Sequence, residues 1–182
     1  YLDEIIKHVR GKVEHGDFVV VSEKAISTAL NNLVDERKIN PSVNAKLIAK
    51  FCMRIVWGYF LGRLCRFSQN LLQNLQNYPL TVGSRHKQVA LQYAGLFQAL
   101  MFGSEGGIDG SNLPYSYVSL PLSNAEKIAE KICEEIWLRL KKKVFVMISD
   151  TDKTYSFRNF HFTPRPKPVK PTHSFGGVIV YV

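Results

Sequence analysis

Two short segments of the sequence carry the residue types that hold hard cations and phosphates. The first is Glu105-Gly-Gly-Ile-Asp109-Gly-Ser-Asn112. Its glycines permit positive φ angles and let a ligand approach backbone N–H groups closely. Asp109 and Asn112 supply oxygen ligands or hydrogen-bond partners. The second is Asp150-Thr151-Asp152, directly after the apolar run at 144–148. The carboxyl end of a central strand is where open α/β folds place their ligand sites. Mg2+ takes oxygens from one or two carboxylates and from substrate phosphates. Two such segments in a basic protein would make a site in which Mg2+ bridges protein carboxylates and a nucleotide. Each segment also has a plainer reading. Gly, Asp, Ser and Asn together are turn composition, and Asp-Thr-Asp after a strand can cap a helix or close a turn.

Other site chemistries find no motif here. There is no GxxxxGK[ST], no GxGxxG after a strand, no HExxH and no GxSxG elbow. His8 and His15, and His161 and His173, are too loosely spaced to argue for zinc. Cys52, Cys65 and Cys133 are an odd number without CxxC spacing, and read as reduced, intracellular thiols. Tyr155, Phe157, Phe160 and Phe162, interleaved with Arg158, resemble a base-stacking surface. The same alternation describes an ordinary strand with a buried aromatic face.

The chain of 182 residues has the length of one domain, or of a core with a small lobe. Apolar residues make up 46% and charged residues 21%, which excludes a disordered, collagen-like or disulfide-stapled chain. The net charge is +9, from 24 Lys and Arg against 15 Asp and Glu. No acid falls between Glu36 and Glu105, where there are nine Lys or Arg, and five more follow Asp152 with no acid at all. A basic surface of this kind suits nucleic acid, nucleotides or phosphorylated metabolites, and equally describes a solvated face. The most apolar stretch, 47–75, is cut by Lys50, Arg54, Arg63 and Arg66 and by Gly58 and Gly62. No run in it reaches the roughly 18–20 apolar residues that a membrane span needs, and no secretory leader pattern is visible. The expected setting is the cytoplasm, without a membrane.

The elements that must position these residues follow from pattern. Residues 2–10 repeat apolar positions at helical spacing, with acids in the first turn. Glu14-His-Gly-Asp17 is a turn, and 18–21 a short β-branched run that predicts a buried strand. Asn40-Pro41-Ser42 starts a helix over 45–54, which continues in helix-like text to 77, loosened by two glycines. Its Gln- and Asn-rich end, 69–77, reads as a polar helix face. Tyr78-Pro79 breaks the chain, and 85–101 is helix-compatible, with an end that could be strand. Residues 103–112 are loop by composition, and 115–120 alternate as a strand. Ser123 or Asn124 caps an amphipathic helix to Leu140, with Ile128, Ile132, Ile136 and Leu140 on one face and Lys141 to Lys143 at its end. A second buried strand is predicted at 144–148. The Pro-rich text at 164–171 cannot join a helix or a central strand, and 178–182 predicts a last strand. Strand and helix patterns alternate, which predicts a mixed α/β (α+β) fold.

Several of these segments, in this order, resemble the gamma-glutamyl ligases of the deazaflavin coenzyme F(420). Asp17-Phe-Val-Val-Val-Ser-Glu-Lys24-Ala-Ile-Ser27 is similar to that family's G-D-V-V-V-V-x-E-K-x-x-S. Pro41-Ser-Val-Asn-Ala45 resembles its P-S-x-x-A helix start, Gly107-Ile-Asp109-Gly-Ser-Asn112 its G-I-D-x-S-N loop, and 144–151 its V-I-I-S-D-T segment. The matches run from about residue 3 to about residue 155.

The resemblance implies an enzyme that uses GTP (or ATP) and Mg2+ or Mn2+ to join L-glutamate to a carboxylate of an anionic, phosphodiester-containing deazaflavin acceptor, through an acyl phosphate. It implies that Asp109, Asp150 and Thr151 hold the metal ions, that Ser27 and Asn112 contact the nucleotide, and that Lys24 balances phosphate charge. It implies one ligase-like domain over 1–182, a mixed sheet with packed helices, an intertwined homodimer and an archaeal source.

The sequence also departs from the family. Thr28-Ala-Leu-Asn31 stand where the family continues K-A-E-G after the serine, so a lysine and an acid expected at the site are missing. Residues 152–159 are only loosely comparable with the family's G-R-x-W/R-x-G stretch. The family's opening strand and Pro-rich turn would lie before Tyr1, and its C-terminal part beyond Val182. Two further readings therefore stand beside the ligase: a non-catalytic relative that binds a nucleotide or nucleic acid on its basic face, and a dimerisation domain without a ligand.

Overall fold

The computed structural model describes residues 1–150 except Ser104 and Tyr115, and beyond them the backbone of four strands at 155–157, 160–163, 173–175 and 178–181. In chain order the elements begin α1 (Leu2–Val9), β1 (Phe18–Ser22), α2 (Glu23–Ala29), β2 (Leu33–Asp35) and a 3-10 turn (Glu36–Lys38). Next come α3 (Val43–Leu47), a π-helical segment (Ile48–Leu61), α4 (Gly62–Leu64), α5 (Gln69–Gln76), α6 (Leu80–Tyr93) and α7 (Leu96–Leu100). The order closes with β3 (Tyr117–Ser119), α8 (Ala125–Leu140), β4 (Phe145–Ser149), β5 (Tyr155–Phe157), β6 (Phe160–Thr163), β7 (His173–Phe175) and β8 (Val178–Tyr181). This is the mixed α/β fold that the alternating patterns predict. Among the described residues no helix is long and apolar enough to cross a membrane. The chain divides into two compact units, Tyr1–Leu33 with Ser119–Thr151, and Val34–Val118 with Asp152–Val182.

The first unit is built on β1 and β4, which run parallel in register from Phe18 opposite Phe145 to Ser22 opposite Ser149. Their inward residues Val19, Val21, Val146 and Ile148 pack with Ile6 of α1, Ile26 of α2 and Ile132 and Ile136 of α8. The helical stripe expected on α8 is this core: Ile128 and Leu140 lie at its margin and the two central isoleucines are fully buried. Burying each such side chain contributes about 1.5–3 kcal/mol. Both strands were expected to be buried, and the structure corrects this for alternate residues. Phe18 is 66% exposed and Phe145 60%, and Val20 and Met147 accompany them on the outer face. A two-stranded pair has helices on one side only, so alternate residues turn outward. The turn before β1 is as expected: Asp17 accepts from the Glu14 N–H through Oδ2 at 2.8 Å, and Gly16 has φ of +89°. Asn124 precedes α8 without a side-chain cap bond. Lys141, in the left-handed conformation, ends the helix, and its ammonium lies 5.8 Å from the Trp137 ring.

The second unit is mostly helical up to Val118. Ser42 caps α3 by accepting from the Ala45 N–H at 3.3 Å, as the Asn-Pro-Ser text predicts. The glycines at 58 and 62 do not loosen the helix that follows. They are sites of close approach: a Cβ on Gly62 would stand 2.8 Å from Leu72, and one on Gly58 3.0 Å from Gln76. The two positions let α5 lie against the π-helical segment, and Gln76 donates to the Gly58 carbonyl at 3.0 Å. α5 buries Leu72 and Leu75 and keeps its Gln and Asn residues as a polar face, as expected. The text at 85–101 forms two helices with no strand. Gly95, at φ of +112°, separates α6 from α7. β3 pairs with β2, and β5, β6, β8 and β7 form an antiparallel sheet in that order. The Pro-rich text at 164–171 and the side chains of the aromatic alternation at 155–162 lie outside the described residues.

Candidate functional site

In the first unit, the carboxyl ends of β1 and β4 coincide, because Ser22 is opposite Ser149. α2 starts directly from β1 and Asp150 directly follows β4, so Lys24 and Asp150 belong to the same end of the parallel pair. Both are half-buried. Glu23 is buried in the first turn of α2, and its Oε1 accepts from the Leu122 N–H at 2.7 Å. Ser27 is fully buried and donates its hydroxyl to the Leu120 carbonyl at 2.8 Å. Asn32 donates to the same carbonyl at 3.1 Å. Residues 120–122 are thus clamped to α2 and the turn after it. Beside this clamp an open cleft of about 410 Å3 is lined by Asn32, Ser123, Asn124, Lys127 and Lys131 among others. Thr151, the remaining residue expected to hold metal, lies outside the described residues.

Asp109 and Asn112 belong to the second unit and share one loop. Asp109 Oδ1 accepts from the Ser111 N–H at 2.7 Å, which closes a tight turn on the side chain itself. Asn112 follows at φ of +59°, a conformation asparagine tolerates better than most residues. Ile108 is buried and pins the middle of the loop, while Asp109 stays half-buried. A half-buried carboxylate in a glycine-rich loop is a hard oxygen donor. Its chemistry fits Mg2+ or Mn2+, which complete their shells with water and substrate phosphate. Among the described residues no group of three or more His, Cys, Asp or Glu forms a ready-made metal cage.

Pattern reading missed what holds this loop. Four charged residues meet below it. His86 contacts Glu36 through Nδ1 at 2.5 Å and Glu105 through Nε2 at 3.3 Å. Lys87, with no exposed surface, donates to Glu105 Oε1 at 2.6 Å and to the Met101 carbonyl at 2.7 Å. Burial disfavours the imidazolium, but hydrogen bonds and charge from Glu105 and Glu36 outweigh it and raise the His86 pKa to about 9. Burial would likewise raise the Glu105 pKa, yet the His86 hydrogen bond and the two cations bring it down to about 2. Burial and then the same two carboxylates push the Tyr78 hydroxyl up. The available signal was the position of Lys87 on α6, in a stripe of buried small residues with Gly83 and Ala90. A lysine on an apolar stripe needs a buried partner.

Residues 2–160 match the family described as F420-0:Gamma-glutamyl ligase. The chain belongs to this family. It is 39% identical over 179 residues to an uncharacterized protein of Methanocaldococcus jannaschii, covering 98% of the chain and 61% of that relative. It is 29% identical over 146 residues to the coenzyme F420:L-glutamate ligase of Archaeoglobus fulgidus, covering 79% of the chain and 51% of the ligase. The chain thus spans less than two thirds of the length of these relatives. The resemblance read from the sequence and the family match agree, and both acidic segments fall within the matched residues.

Proposed function

We propose that the protein is a metal- and nucleotide-dependent gamma-glutamyl ligase-like enzyme that acts in or near coenzyme F(420) biosynthesis. One observation carries this reading: the family match over residues 2–160 contains both acidic segments. Asp109, Asp150 and Thr151 would hold Mg2+ or Mn2+, which supplies charge neutralisation at phosphate oxygens. Asn112 would contact the nucleotide, and Lys24 would offset phosphate charge. Ser27 can contact it only by giving up or sharing its bond to Leu120. The co-substrate is GTP or ATP and the acceptor an anionic, phosphorylated carboxylic acid.

The reaction needs no protein nucleophile. The acceptor carboxylate takes the terminal phosphoryl group, and the nucleoside diphosphate leaves. The amine of L-glutamate then attacks the acyl carbon. A C–N bond forms, the C–O bond to phosphate breaks, and phosphate departs while the amine loses its proton. Positioning and charge compensation are what such a transfer asks of its protein. The same reading includes a homodimer, a cytoplasmic setting and an archaeal source.

The test is release of GDP from GTP that requires both L-glutamate and a deazaflavin phosphodiester acid, with Mn2+ present. Turnover that needs both substrates supports the ligase. A second reading is favoured by α2 itself, which runs on from Ser27 through Thr28-Ala29 to an exposed Leu30, where the family has K-A-E-G. On that reading the protein binds nucleotide, or nucleic acid, on its basic face without turnover, and GDP is never released.

A further inference from the structure

The loop that carries Asp109 is flexible text made rigid from one end. Between Glu105 and Asp109 stand Gly106 at φ of +72° and Gly107 at φ of +88°, then the buried Ile108. Glycines restrain the backbone least of all residues, so the direction of Asp109 depends on what fixes its neighbours. At the upstream end the anchors are close together. Trp57 Nε1 donates to the Leu100 carbonyl at 2.8 Å, and Cys52 Sγ donates to the same oxygen at 3.3 Å. Lys87 then holds the Met101 carbonyl and the Glu105 carboxylate with one ammonium group, and His86 holds the other Glu105 oxygen. A single buried cation therefore ties the start of the loop to a side chain four residues before Asp109. Buried charge pairs are poor sources of net stability, since apolar residues of the same volume often do as well, but their bonds have direction.

We propose that Glu105, held by Lys87 and His86, is the positioning residue that sets the Asp109 carboxylate for a divalent cation. This rests on Asp109 being a metal ligand, as proposed above. Glu36 meets the same imidazole from the turn Glu36–Lys38, which is not part of the loop. It therefore separates holding the fold from aiming the ligand.

The experiment is a Mn2+ titration of the full chain, followed by calorimetry, with a thermal melt of every variant. Glu105→Gln keeps the shape and loses the charge. It is expected to weaken Mn2+ binding by roughly 10-fold or more, as loss of a partner behind a metal ligand commonly does. Glu36→Gln is expected to lower the melting temperature and leave Mn2+ affinity within about twofold of the parent. His86→Gln, which keeps Lys87 on Glu105, serves if Glu105→Gln does not fold, and should weaken Mn2+ binding less than Glu105→Gln would. If Glu105→Gln and His86→Gln melt lower but bind Mn2+ as the parent does, the cluster only holds the fold and the proposal fails. Equal losses of affinity in Glu105→Gln and Glu36→Gln also overturn it. Asp109→Asn is the control for the underlying reading. If it binds Mn2+ normally, Asp109 is not a ligand, and that failure is read separately from the behaviour of Glu105.

Discussion

The two acidic segments sit on supports of different physical kinds. Asp150 extends from β4, whose position is fixed by five paired residues of a parallel ladder and by an isoleucine core. In the same unit, Ser27 and Asn32 tie residues 120 and 121 by neutral hydrogen bonds to backbone carbonyls, and the Glu23 carboxylate accepts from the Leu122 N–H. Asp109 extends from a glycine loop whose upstream anchor is a buried cluster of two carboxylates, an imidazolium and an ammonium. Apolar burial is non-directional and insensitive to pH, whereas a buried charge cluster is directional and exists only in one protonation state. The comparison predicts that the two segments fail differently.

The largest effect is expected at Lys87. Lys87→Met leaves Glu105 buried with half its compensation, and should cost about 3–5 kcal/mol in denaturant unfolding. A loss below about 1 kcal/mol would mean that the cluster relaxes to water. The isoleucine core should be nearly as costly to damage: Ile132→Ala is expected to lose about 2–5 kcal/mol. Unlike the lysine variant, it should lose the same amount at every pH.

The pH dependence sharpens the contrast. The pKa of His86 is raised in the fold from 6.5 to about 9, so its contribution is full below about pH 6.5 and is lost as pH rises through 9. That of Glu105 is lowered from 4.5 to about 2, so its contribution is present above about pH 4.5 and is lost as pH falls through 2. Stability from the cluster should therefore be greatest between about pH 4.5 and 6.5, and His86→Gln should flatten the alkaline side of the profile followed by thermal melts. A smaller effect is expected at Ser27. Ser27→Ala removes one of two donors to the Leu120 carbonyl and should cost about 1 kcal/mol. The smallest is at the surface: Asp3→Asn breaks the exposed pair with Arg139, and the melting temperature should not move measurably.

Elements with a strong period were legible in the sequence, and contacts between distant residues were not. α1 and α8 follow from apolar spacing, and β1 and β4 from β-branched runs, because those patterns are local. The half-exposure of both strands was not legible, since it depends on α1, α2 and α8 all packing on the same face of the pair. Gly58 and Gly62 misled for a related reason: the same residue loosens a lone helix and lets two helices approach. The loop at 105–112 was found from composition, and the buried cluster behind it was not. Glu36 and His86 stand 50 residues apart, and no periodicity links them. They are, however, joined by a feature visible in the text. Glu36 and Glu105 bound the long acid-free stretch in which His86 and Lys87 lie. Two acids that enclose an all-cationic stretch are the available counterions for any cation buried within it.

The central proposal is that Asp109 and Asp150 are each needed for metal-dependent nucleotide binding. Isothermal titration of GTP, and then ATP, into metal-free protein tests it most directly, with and without Mn2+, on the parent, Asp109→Asn and Asp150→Asn. The account predicts binding that needs Mn2+ and is lost in both variants. Binding without metal, or binding that survives both substitutions, would contradict it and turn attention to the basic surface.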